Sequence, residues 1–385
     1  MRPALSRSEP AVEAGAAAPP LLAALTMLAS PVPRPAALQA ALGALSESEP
    51  AALLGRMAYH RIDGLAHRAL TLLPRGSVGP WLGSALKRRR QKIAAATLSQ
   101  GLALAGVLDA FHRRRIPVIV MRGLRSVEAI YGDPGSRPFQ DHDLLVRATD
   151  RDAAADLLAR EGFAQAAPGL HRRGGVIVDL HVDPLGASRR PTRAALFPLT
   201  AETIFERASA GTVAGAAAEI PSPEDEFLML AIHAVKHSFD RLIRIADLAH
   251  ALALNGRAIC WETLRRRAEA SGTARLLAWA LQAACLLGVE PPADLCSGAL
   301  GNPLAWALMR RVKALNPIPF TGEILMALSA PTLAACARFL MDALFPAGEV
   351  SVGVLGRAIA IPRRTAGLLR QAALEIGDRR GATGR

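Results

Sequence analysis

The chain has 385 residues, a formal net charge of +13 and only 4% aromatic residues. This length allows a substantial hydrophobic core and two or three substructures. Positive charge without interleaved aromatic side chains argues against a surface that stacks single-stranded nucleic acid, so a nucleic-acid partner is not expected. Nearly all of this charge is arginine, which is typical of ordinary arginine-rich surfaces and also suits a small anionic substrate such as a nucleotide.

The cysteines and the apolar stretches indicate a compartment. The four cysteines are scattered and form no Cys-x-x-Cys motif, which argues against a zinc site and a disulfide framework and favours a reducing environment. An apolar stretch at Leu21 to Ala29 follows two prolines and few basic residues, so a signal peptide is not expected. The longest candidate for a membrane span, Ile324 to Leu344, contains Pro331 and Arg338. We therefore expect a cytoplasmic protein without membrane insertion.

The first part of the chain is predicted to be helical. Residues 1–18 are rich in alanine, proline and glutamate and predict a disordered lead-in. Residues 19–114 predict an N-terminal helical region that ends in a long helix from Trp81 to Arg114. This helix contains the basic run Lys87-Arg88-Arg89-Arg90, which is either a solvated face or a contact for a phosphate backbone.

Residues 115–200 have the texture of a small α/β core. Ile116 to Met121 is a short β-branched run typical of a buried strand, and Leu124 to Tyr131 predicts a helix. Asp143 to Val146 predicts a second strand, and the Gly174-Gly175 pair predicts a hairpin whose second strand is Val176 to Val182.

From Pro198 to the end the periodicity is helical, so residues 201–385 predict a C-terminal helical region. The predicted fold class is therefore α+β, with a small mixed-sheet palm between two helical regions.

Two aspartates, Asp141 and Asp143, stand one residue apart at the start of the second predicted strand. Because strand side chains alternate between faces, both carboxylates point the same way. Like charges this close repel each other unless a cation lies between them. Mg²⁺ binds carboxylate and phosphate oxygens together, so the pair predicts a magnesium site.

Asp179 is a third candidate metal ligand, in the middle of Val176-Ile-Val-Asp-Leu-His181. An ionised aspartate among residues that favour burial is costly unless it is paired or bound to a metal. If this strand lies beside that of Asp143, three carboxylates converge at one end of the sheet. Such a cluster predicts two-metal phosphoryl transfer, with Asp141 and Asp143 holding the ion that carries the triphosphate. Asp179 would help to hold the second ion and would accept the proton of the attacking hydroxyl.

Three residues near these carboxylates are candidate phosphate ligands. Gly123 lies at a strand-to-helix turn, where backbone amides and a helix N-terminus can approach a phosphate. Arg122 and Arg137 flank this turn and the aspartate strand, and arginine offers a bidentate fork to phosphate oxygens. Each arginine could also be an ordinary surface residue.

The segment from Val120 to Val146 resembles the signature of the bacterial nucleotidyltransferase-like family, within the polymerase-β superfamily. The matching residues are Met-Arg-Gly, a helix, and then Tyr-Gly-Asp-Pro-Gly-Ser-Arg-Pro-Phe-Gln-Asp-His-Asp-Leu-Leu-Val. Val178-Asp-Leu-His181 is similar to the family's third-carboxylate strand. Ile232-His-Ala-Val-Lys-His237 and Ile245-Ala-Asp-Leu248 are similar to its helical-domain motif. The resemblance extends from residue 20 to beyond residue 300.

This resemblance implies a mixed α/β nucleotidyltransferase core, two Mg²⁺ ions, an NTP donor, in the first place ATP, and a hydroxyl acceptor. It assigns metal binding to Asp141, Asp143 and Asp179 and triphosphate contacts to Gly123. The chain departs from the family pattern at two positions and from the wider superfamily at a third. Arg122 replaces the family's lysine, which keeps the charge but changes its reach. His142 replaces an apolar residue and is expected to pack as a neutral histidine on the opposite sheet face. Leu124 stands where the wider superfamily has serine.

The helical motif adds further candidates. His233 and His237 lie four residues apart on one helical face, a spacing that suits a metal but lacks the Glu of the His-Glu-x-x-His pattern. We therefore favour histidines that face the palm. Lys236 is a candidate ligand for a substrate phosphate or base. Asp247 is expected to pair with Arg244 in the same helix.

The leading hypothesis is a Mg²⁺-dependent nucleotidyltransferase that moves an NMP from an NTP to a hydroxyl. The acceptor is a small molecule, a sugar, a peptide or a protein, and the sequence does not distinguish among them. Two alternatives stay open. One is a non-catalytic nucleotide-binding or accessory protein of the same fold, and the other is a nucleic-acid-processing nucleotidyltransferase.

Overall fold

The computed structural model describes residues 20–45, 49–77, 79–186, 191–297 and 302–344. The predicted lead-in at residues 1–18 and the end of the predicted C-terminal helical region, after residue 344, lie outside these residues.

One mixed sheet of seven strands forms the centre of the fold. The strands are β1 (Ile119–Val120), β2 (His142–Leu145), β3 (Ala164–Ala167), β4 (Leu170–Arg173), β5 (Val176–His181), β6 (Ser209–Val213) and β7 (Ala216–Ile220). Their order across the sheet is β3-β4-β5-β2-β1-β7-β6. The pairs β2–β5 and β1–β7 are parallel, and the other neighbours are antiparallel. With helices on both sides of the sheet, the predicted α+β class is confirmed.

Five helices precede the sheet: α1 (Pro20–Ala29), α2 (Pro35–Gly43), α3 (Glu49–His60), α4 (Asp63–Leu70) and α5 (Pro80–Arg113). Proline occupies the first turn of α2 and of α5, where the missing N–H removes no helical hydrogen bond. The long helix predicted from Trp81 to Arg114 is thus confirmed within one residue at each end.

The remaining helices lie between and after the strands. They are α6 (Leu124–Ser126, continued by a π-helical turn over Val127–Tyr131), α7 (Arg151–Arg160), α8 (Pro191–Leu196), α9 (Ala201–Phe205), α10 (Pro223–Lys236), α11 (Leu242–Asn255), α12 (Trp261–Ala270), α13 (Ala274–Ala284), α14 (Ala293–Ser297), α15 (Pro303–Lys313), α16 (Thr321–Leu328) and α17 (Leu333–Leu344). Two short 3-10 turns occur at Ala148–Asp150 and Cys285–Leu287.

The hairpin of β6 and β7 contradicts the prediction that the chain is helical from Pro198 onwards. Its residues are mostly alanine, glycine and serine, which predict neither strand nor hairpin by propensity. The strands form because β7 pairs with β1 inside the sheet, with Ile119 opposite Glu219. The turn between them places Ala214 and Gly215 at positive φ, 54° and 76°. Such a turn usually carries Asn-Gly, and alanine in its first position conceals the signal.

The two faces of the sheet pack against different helices. Leu144, Val178 and Leu180 join the core that includes residues of α5 and α7. Ile119 and Leu145, on the other face, belong to the larger core formed by the N-terminal and C-terminal helices. Side chains alternate along a strand. The strand residues that lie between Leu144, Val178 and Leu180 and their neighbours in the first core therefore point to the other face, towards the larger core. This alternation determines the direction of the candidate site.

Within the described residues, one helix, α5, is long and apolar enough to cross a membrane by length and composition alone. It packs against α4 and β7, and 33% of its most apolar window is buried inside the fold. The apolar stretch chosen from the sequence, Ile324 to Leu344, is divided between α16 and α17. The absence of membrane insertion therefore stays a prediction.

Candidate active site

The two predicted aspartate strands lie side by side. Strand β2 pairs with β5 in parallel, so that Asp143 is directly opposite Asp179 and Leu145 is opposite His181. Asp143, Asp179 and His181 alternate with the buried Leu144 and Leu180, and they therefore point towards the helical regions. The pairing of β2 with β5 thus brings the carboxylates of Asp143 and Asp179 together, with Asp141 at the same cavity.

These carboxylates line a cavity of about 300 Å³, a size at the lower end of ligand-binding pockets. All the residues predicted for the site lie at its wall. The charged and histidine residues around it are Arg61, Arg122, Arg137, Asp141, Asp143, Asp179, His181, His233, Lys236, His237 and Arg244. They come from the α3–α4 junction, from the sheet with the turn after β1 and the loop before β2, and from helices α10 and α11, so three regions of the chain together form the cavity.

Asp143 is the most strongly engaged of the three aspartates. Arg122 donates two hydrogen bonds to it, Nε to Oδ2 at 3.0 Å and Nη2 to Oδ1 at 2.7 Å. His181 Nε2 lies 2.8 Å from Oδ1. Burial opposes ionisation of this carboxyl group, but the charge of Arg122 and the hydrogen bonds from His181 and Arg122 hold its pKa well below the usual range. Asp143 is thus a buried, permanent carboxylate.

Asp141 differs from Asp143 in its environment. Burial and the negative charge of Asp143 raise its pKa, and the charge of Asp179 acts in the same direction. In the part of the chain that the structure describes, no other side chain donates a hydrogen bond to Asp141. Asp179 is partly buried and lies 3.2 Å from His181 Nε2, measured to Oδ2. A cation brought into the cavity would therefore stabilise both carboxylates.

Gly123 occupies the turn that follows β1, and its backbone requires glycine. Its φ is +75°, and a Cβ at this position would lie 2.6 Å from the carbonyl oxygen of Asp141. The hydrogen bond from Met121 N to Asp143 O, at 2.9 Å, joins the same two segments. The glycine thus lets the Arg122–Gly123 turn approach the start of β2, which places Arg122 beside Asp143.

Arg137 has a partner that the sequence analysis did not predict. Its guanidinium donates to both carboxylate oxygens of Asp247 at 2.8–3.0 Å, and Tyr131 Oη donates to Asp247 Oδ1 at 2.8 Å. Burial would lower the pKa of Arg137, but the charge of Asp247 outweighs burial and raises it. The expectation that Asp247 pairs with Arg244 is wrong, because Arg244 pairs with Asp240. Arg137 still borders the cavity, and its contact with a phosphate stays a prediction.

Lys236 is a partly buried cation at the cavity wall. Among the described residues its ammonium group has no hydrogen bond or salt bridge. Burial and the nearby Arg122 lower its pKa from 10.5 to about 8. The loop after β5 passes close by, since a Cβ on Gly186 would lie 3.2 Å from Lys236 Nζ. An anion in the cavity would supply the charge partner that Lys236 lacks.

His233 and His237 also face the cavity, with ring centroids 4.4 Å apart. Burial and the neighbouring cations lower both pKa values, that of His237 to about 3, so both rings are neutral. The sequence predicted helical periodicity through this part of the chain after Pro198. The structure instead ends α10 at Lys236 and places Ser238 and Phe239 at positive φ. This break brings the end of α10 to the cavity.

His142 packs as predicted. It is fully buried between the aspartates, and its Nε2 lies 3.2 Å from Gln100 Oε1 of α5. Burial lowers its pKa to about 4, which keeps the ring neutral.

The basic run on α5 is partly neutralised inside the fold. Arg89 pairs with Asp63 at 2.7 Å and Arg90 with Asp133 at 2.8 Å, whereas Lys87 and Arg88 are exposed. Because Asp133 belongs to the loop before β2, Arg90 helps to hold that loop. Two of the four basic residues therefore form ion pairs within the fold and are not part of a purely solvent-exposed face.

Three of the charged and histidine residues at the cavity wall, Arg61, His181 and Arg244, were not predicted as part of the site. Arg61 has a positive φ of 58° at the α3–α4 junction and donates to Gln140 Oε1 at 2.8 Å. No local sequence pattern predicts Arg61 as a site residue, because the α3–α4 junction is far in sequence from the strands that carry the aspartates. His181 was inside a quoted motif, and its position two residues after Asp179 places both side chains on one strand face. The two-residue spacing between Asp179 and His181 would therefore have been sufficient to predict His181 as a site residue.

Residues 46–288, more than half of the chain, match the family model described as "Uncharacterised nucleotidyltransferase". The chain belongs to this family. The match includes all seven strands of the sheet and ends after α13. Searches of curated proteins and of solved structures found no match. Membership supports nucleotidyl transfer as the general activity and an NTP as the substrate class.

Proposed function

We propose that the protein is a Mg²⁺-dependent nucleotidyltransferase that moves an NMP from an NTP to a hydroxyl of an acceptor. The observation that carries this proposal is the pairing of Asp143 with Asp179 across β2 and β5, with Asp141 at the same cavity. Family membership supplies the reaction class. The signature around Asp141 also supports a place in the polymerase-β superfamily and a bacterial source, and the cysteine pattern supports the cytoplasm.

The residues present fit divalent metal ions. Asp143, Asp179 and His181 each offer a ligand atom, and these atoms lie within 4.8 Å of one another. Asp141 adds a carboxylate without a side-chain partner among the described residues. A carboxylate oxygen has two lone pairs, so the contact of Asp143 with Arg122 leaves acceptor capacity for an ion. Bound ions would neutralise the charge that develops on the transferred phosphoryl group.

The side chains have separable tasks in the reaction. Lys236 and the Arg122–Gly123 turn would bind phosphate oxygens, the lysine as a point charge and the turn through a guanidinium and backbone amides. Asp179 would accept the proton of the acceptor hydroxyl, whose oxygen forms a bond to the α-phosphorus. The bond from this phosphorus to the bridging oxygen then breaks, and pyrophosphate leaves. ATP is the first donor to test.

The test should spare the Arg122–Asp143 contact. Replacing Asp143 leaves a buried guanidinium unpaired, so the loss of activity in that variant could reflect unfolding. Asp141→Asn and Asp179→Asn avoid this problem. With each NTP, Mg²⁺ and mixed acceptors, we expect pyrophosphate release by the natural chain and its loss in both variants. Asp152→Asn, an exposed change on α7, is the matched control and should retain the activity.

Titration calorimetry with Mg²⁺ and each NTP provides the reading that is independent of the acceptor. Binding without pyrophosphate release from any acceptor mixture would favour the non-catalytic alternative. That alternative has one supporting observation, since Arg122 already neutralises Asp143 within the protein. The absence of both binding and release would contradict the proposed function.

The nucleic-acid alternative has less support from the structure, because two of the four basic residues on the α5 run have carboxylate partners. A nucleic-acid partner predicts binding that weakens steeply with salt concentration. Absent or salt-insensitive binding would remove this alternative. A partner protein that presents the acceptor is compatible with the proposal.

A further inference from the structure

We propose that His181 is a direct metal ligand, so that one of the two ion sites is an Asp-Asp-His site formed by Asp143, Asp179 and His181. Such a site takes a first-row transition-metal ion, for which Mn²⁺ is the probe, in preference to Mg²⁺. This inference deepens the proposed function and rests on it for the identity of the site, but metal binding can be measured without turnover.

The strand geometry places the imidazole where a ligand belongs. His181 is two residues after Asp179 on β5, and the register sets Asp143 opposite Asp179 on β2. His181 Nε2 lies 2.8 Å from Asp143 Oδ1 and 3.2 Å from Asp179 Oδ2. Neighbouring ligands of a six-coordinate ion, each roughly 2.1 Å from the metal, are roughly 3 Å apart. The imidazole nitrogen thus already has the separation of a neighbouring ligand from each carboxylate, and the ligand atoms of all three residues lie within 4.8 Å of one another.

Other histidines at the cavity do not share this arrangement. His233 and His237 stack against each other on α10, and neither belongs to a cluster of three ligand groups among the described residues. His142 lies on β2 between the two aspartates, but its side chain is on the opposite face of the sheet, outside the cavity wall, and faces Gln100 of α5. Of the cavity's imidazoles, His181 is therefore the one that two carboxylates accompany.

The donor set determines the ion. Mg²⁺ prefers oxygen ligands and does not readily exchange its bound water for a nitrogen ligand. Imidazole, in contrast, suits first-row transition metals. A site of two carboxylates and one imidazole offers both oxygen and nitrogen ligands, which suits a first-row transition-metal ion such as Mn²⁺. Asp141 is not part of this Asp-Asp-His group, and its carboxylate oxygens remain available for the Mg²⁺ that accompanies the NTP. The two sites would then differ in their metal preference.

The alternative is that His181 only neutralises the two carboxylates as a hydrogen-bond donor. Both explanations predict that removing the ring disturbs the site. They differ in one observable, because only a direct ligand brings a nitrogen nucleus into the coordination shell of the metal. The experiment must therefore detect nitrogen at the ion, and activity is not sufficient.

The full chain is titrated with Mn²⁺ in the absence of NTP, and free Mn²⁺ is followed by electron paramagnetic resonance. Electron spin echo modulation then detects ¹⁴N coupled to the bound ion. We expect ¹⁴N coupling in the natural chain and in His237→Gln, and its loss in His181→Gln, with Mn²⁺ affinity reduced roughly 10-fold or more. Mg²⁺ should compete poorly with bound Mn²⁺.

Bound Mn²⁺ without ¹⁴N coupling, coupling that survives in His181→Gln, coupling lost in His237→Gln, or no Mn²⁺ binding would overturn the proposal. If circular dichroism shows that His181→Gln does not fold, His181→Asn and the double variant His233→Gln/His237→Gln decide the question. Coupling that persists in the folded double variant supports His181. Because no NTP is present, failure of the proposed nucleotidyl transfer leaves this result unaffected.

Discussion

The buried ion pair between Arg137 and Asp247 offers the sharpest test of how the site is held. The side chains are 9% and 3% exposed, and they share a bidentate contact that Tyr131 extends. We predict that Asp247→Leu lowers the free energy of unfolding by about 3–5 kcal/mol, because it leaves the Arg137 guanidinium buried without a counter-charge. The unpaired hydroxyl of Tyr131 adds about 1 kcal/mol.

The same reasoning predicts non-additivity. Arg137→Met should also destabilise, because it leaves the carboxylate of Asp247 buried and unpaired. The double variant Arg137→Met/Asp247→Leu removes both charges and keeps most of the volume, so its stability should recover to within about 2 kcal/mol of the natural chain. Urea unfolding, followed by tryptophan fluorescence, measures the three variants. Additive losses would show that the pair is not coupled and would refute the argument.

The double variant also tests the predicted phosphate contact of Arg137. If the arginine serves only to hold α11 against the loop before β2, NTP affinity of the folded double variant should change by less than about 3-fold, which corresponds to less than 0.7 kcal/mol. A larger loss of affinity in a protein of recovered stability would assign the arginine to the nucleotide.

Two further predictions concern the phosphate side of the cavity. Gly123→Ala should destabilise the fold by about 2–4 kcal/mol and reduce NTP binding, because it combines a strained φ of +75° with a clash at Asp141 O; urea unfolding and calorimetry measure both effects. NTP affinity should fall as the pH rises through about 8, where Lys236 loses its proton in the free protein. Because burial lowers this pKa from 10.5, the unfolded chain binds more protons between pH 8 and 10.5, and Lys236 makes stability rise with pH across that window.

Each of these predictions has a matched control. Gly132 has left-handed helical backbone angles (φ 63°, ψ 5°) and no atom within 4 Å of an added Cβ, so Gly132→Ala should show a smaller strain than Gly123 (φ 75°, ψ −121°) and no clash. Equal losses in the two alanine variants would contradict the steric argument. Lys236→Met should bind NTP weakly at every pH from 7 to 9, and Lys313→Met, an exposed change, should keep the natural pH profile. A profile that persists in Lys236→Met would assign the titration to another group.

The sequence was sufficient where the determinants are local. The hydrophobic alternation around Asp143 and Asp179 gave both strands and the face of each carboxylate. The glycine after β1 was correctly placed at a turn, although its close approach to Asp141 O depends on strand pairing. The same alternation places His181, two residues after Asp179, on the face of the carboxylates.

What the sequence did not reveal depends on long-range pairing. Arg137 and Asp247 are 110 residues apart, and the nearby Arg244 offered a local partner for Asp247 that the fold gives to Asp240 instead. The β6–β7 hairpin is composed mostly of small residues, and its strand conformation is explained by the pairing of β7 with β1. Tertiary context overrides propensity in both cases.

The charges around the cavity suggest why a metal–nucleotide complex suits it better than either component alone. Arg122 and Arg137 are each balanced by an aspartate within the fold. Asp141 and Lys236 are not paired with each other or with another described side chain, and both are partly buried; desolvation raises the pKa of Asp141 and lowers that of Lys236. A bare anion would satisfy Lys236 and repel Asp141, whereas a bare cation would do the reverse. A polyphosphate with its divalent ion presents both signs at once, so it relieves both groups without requiring the cavity to rearrange its internal ion pairs.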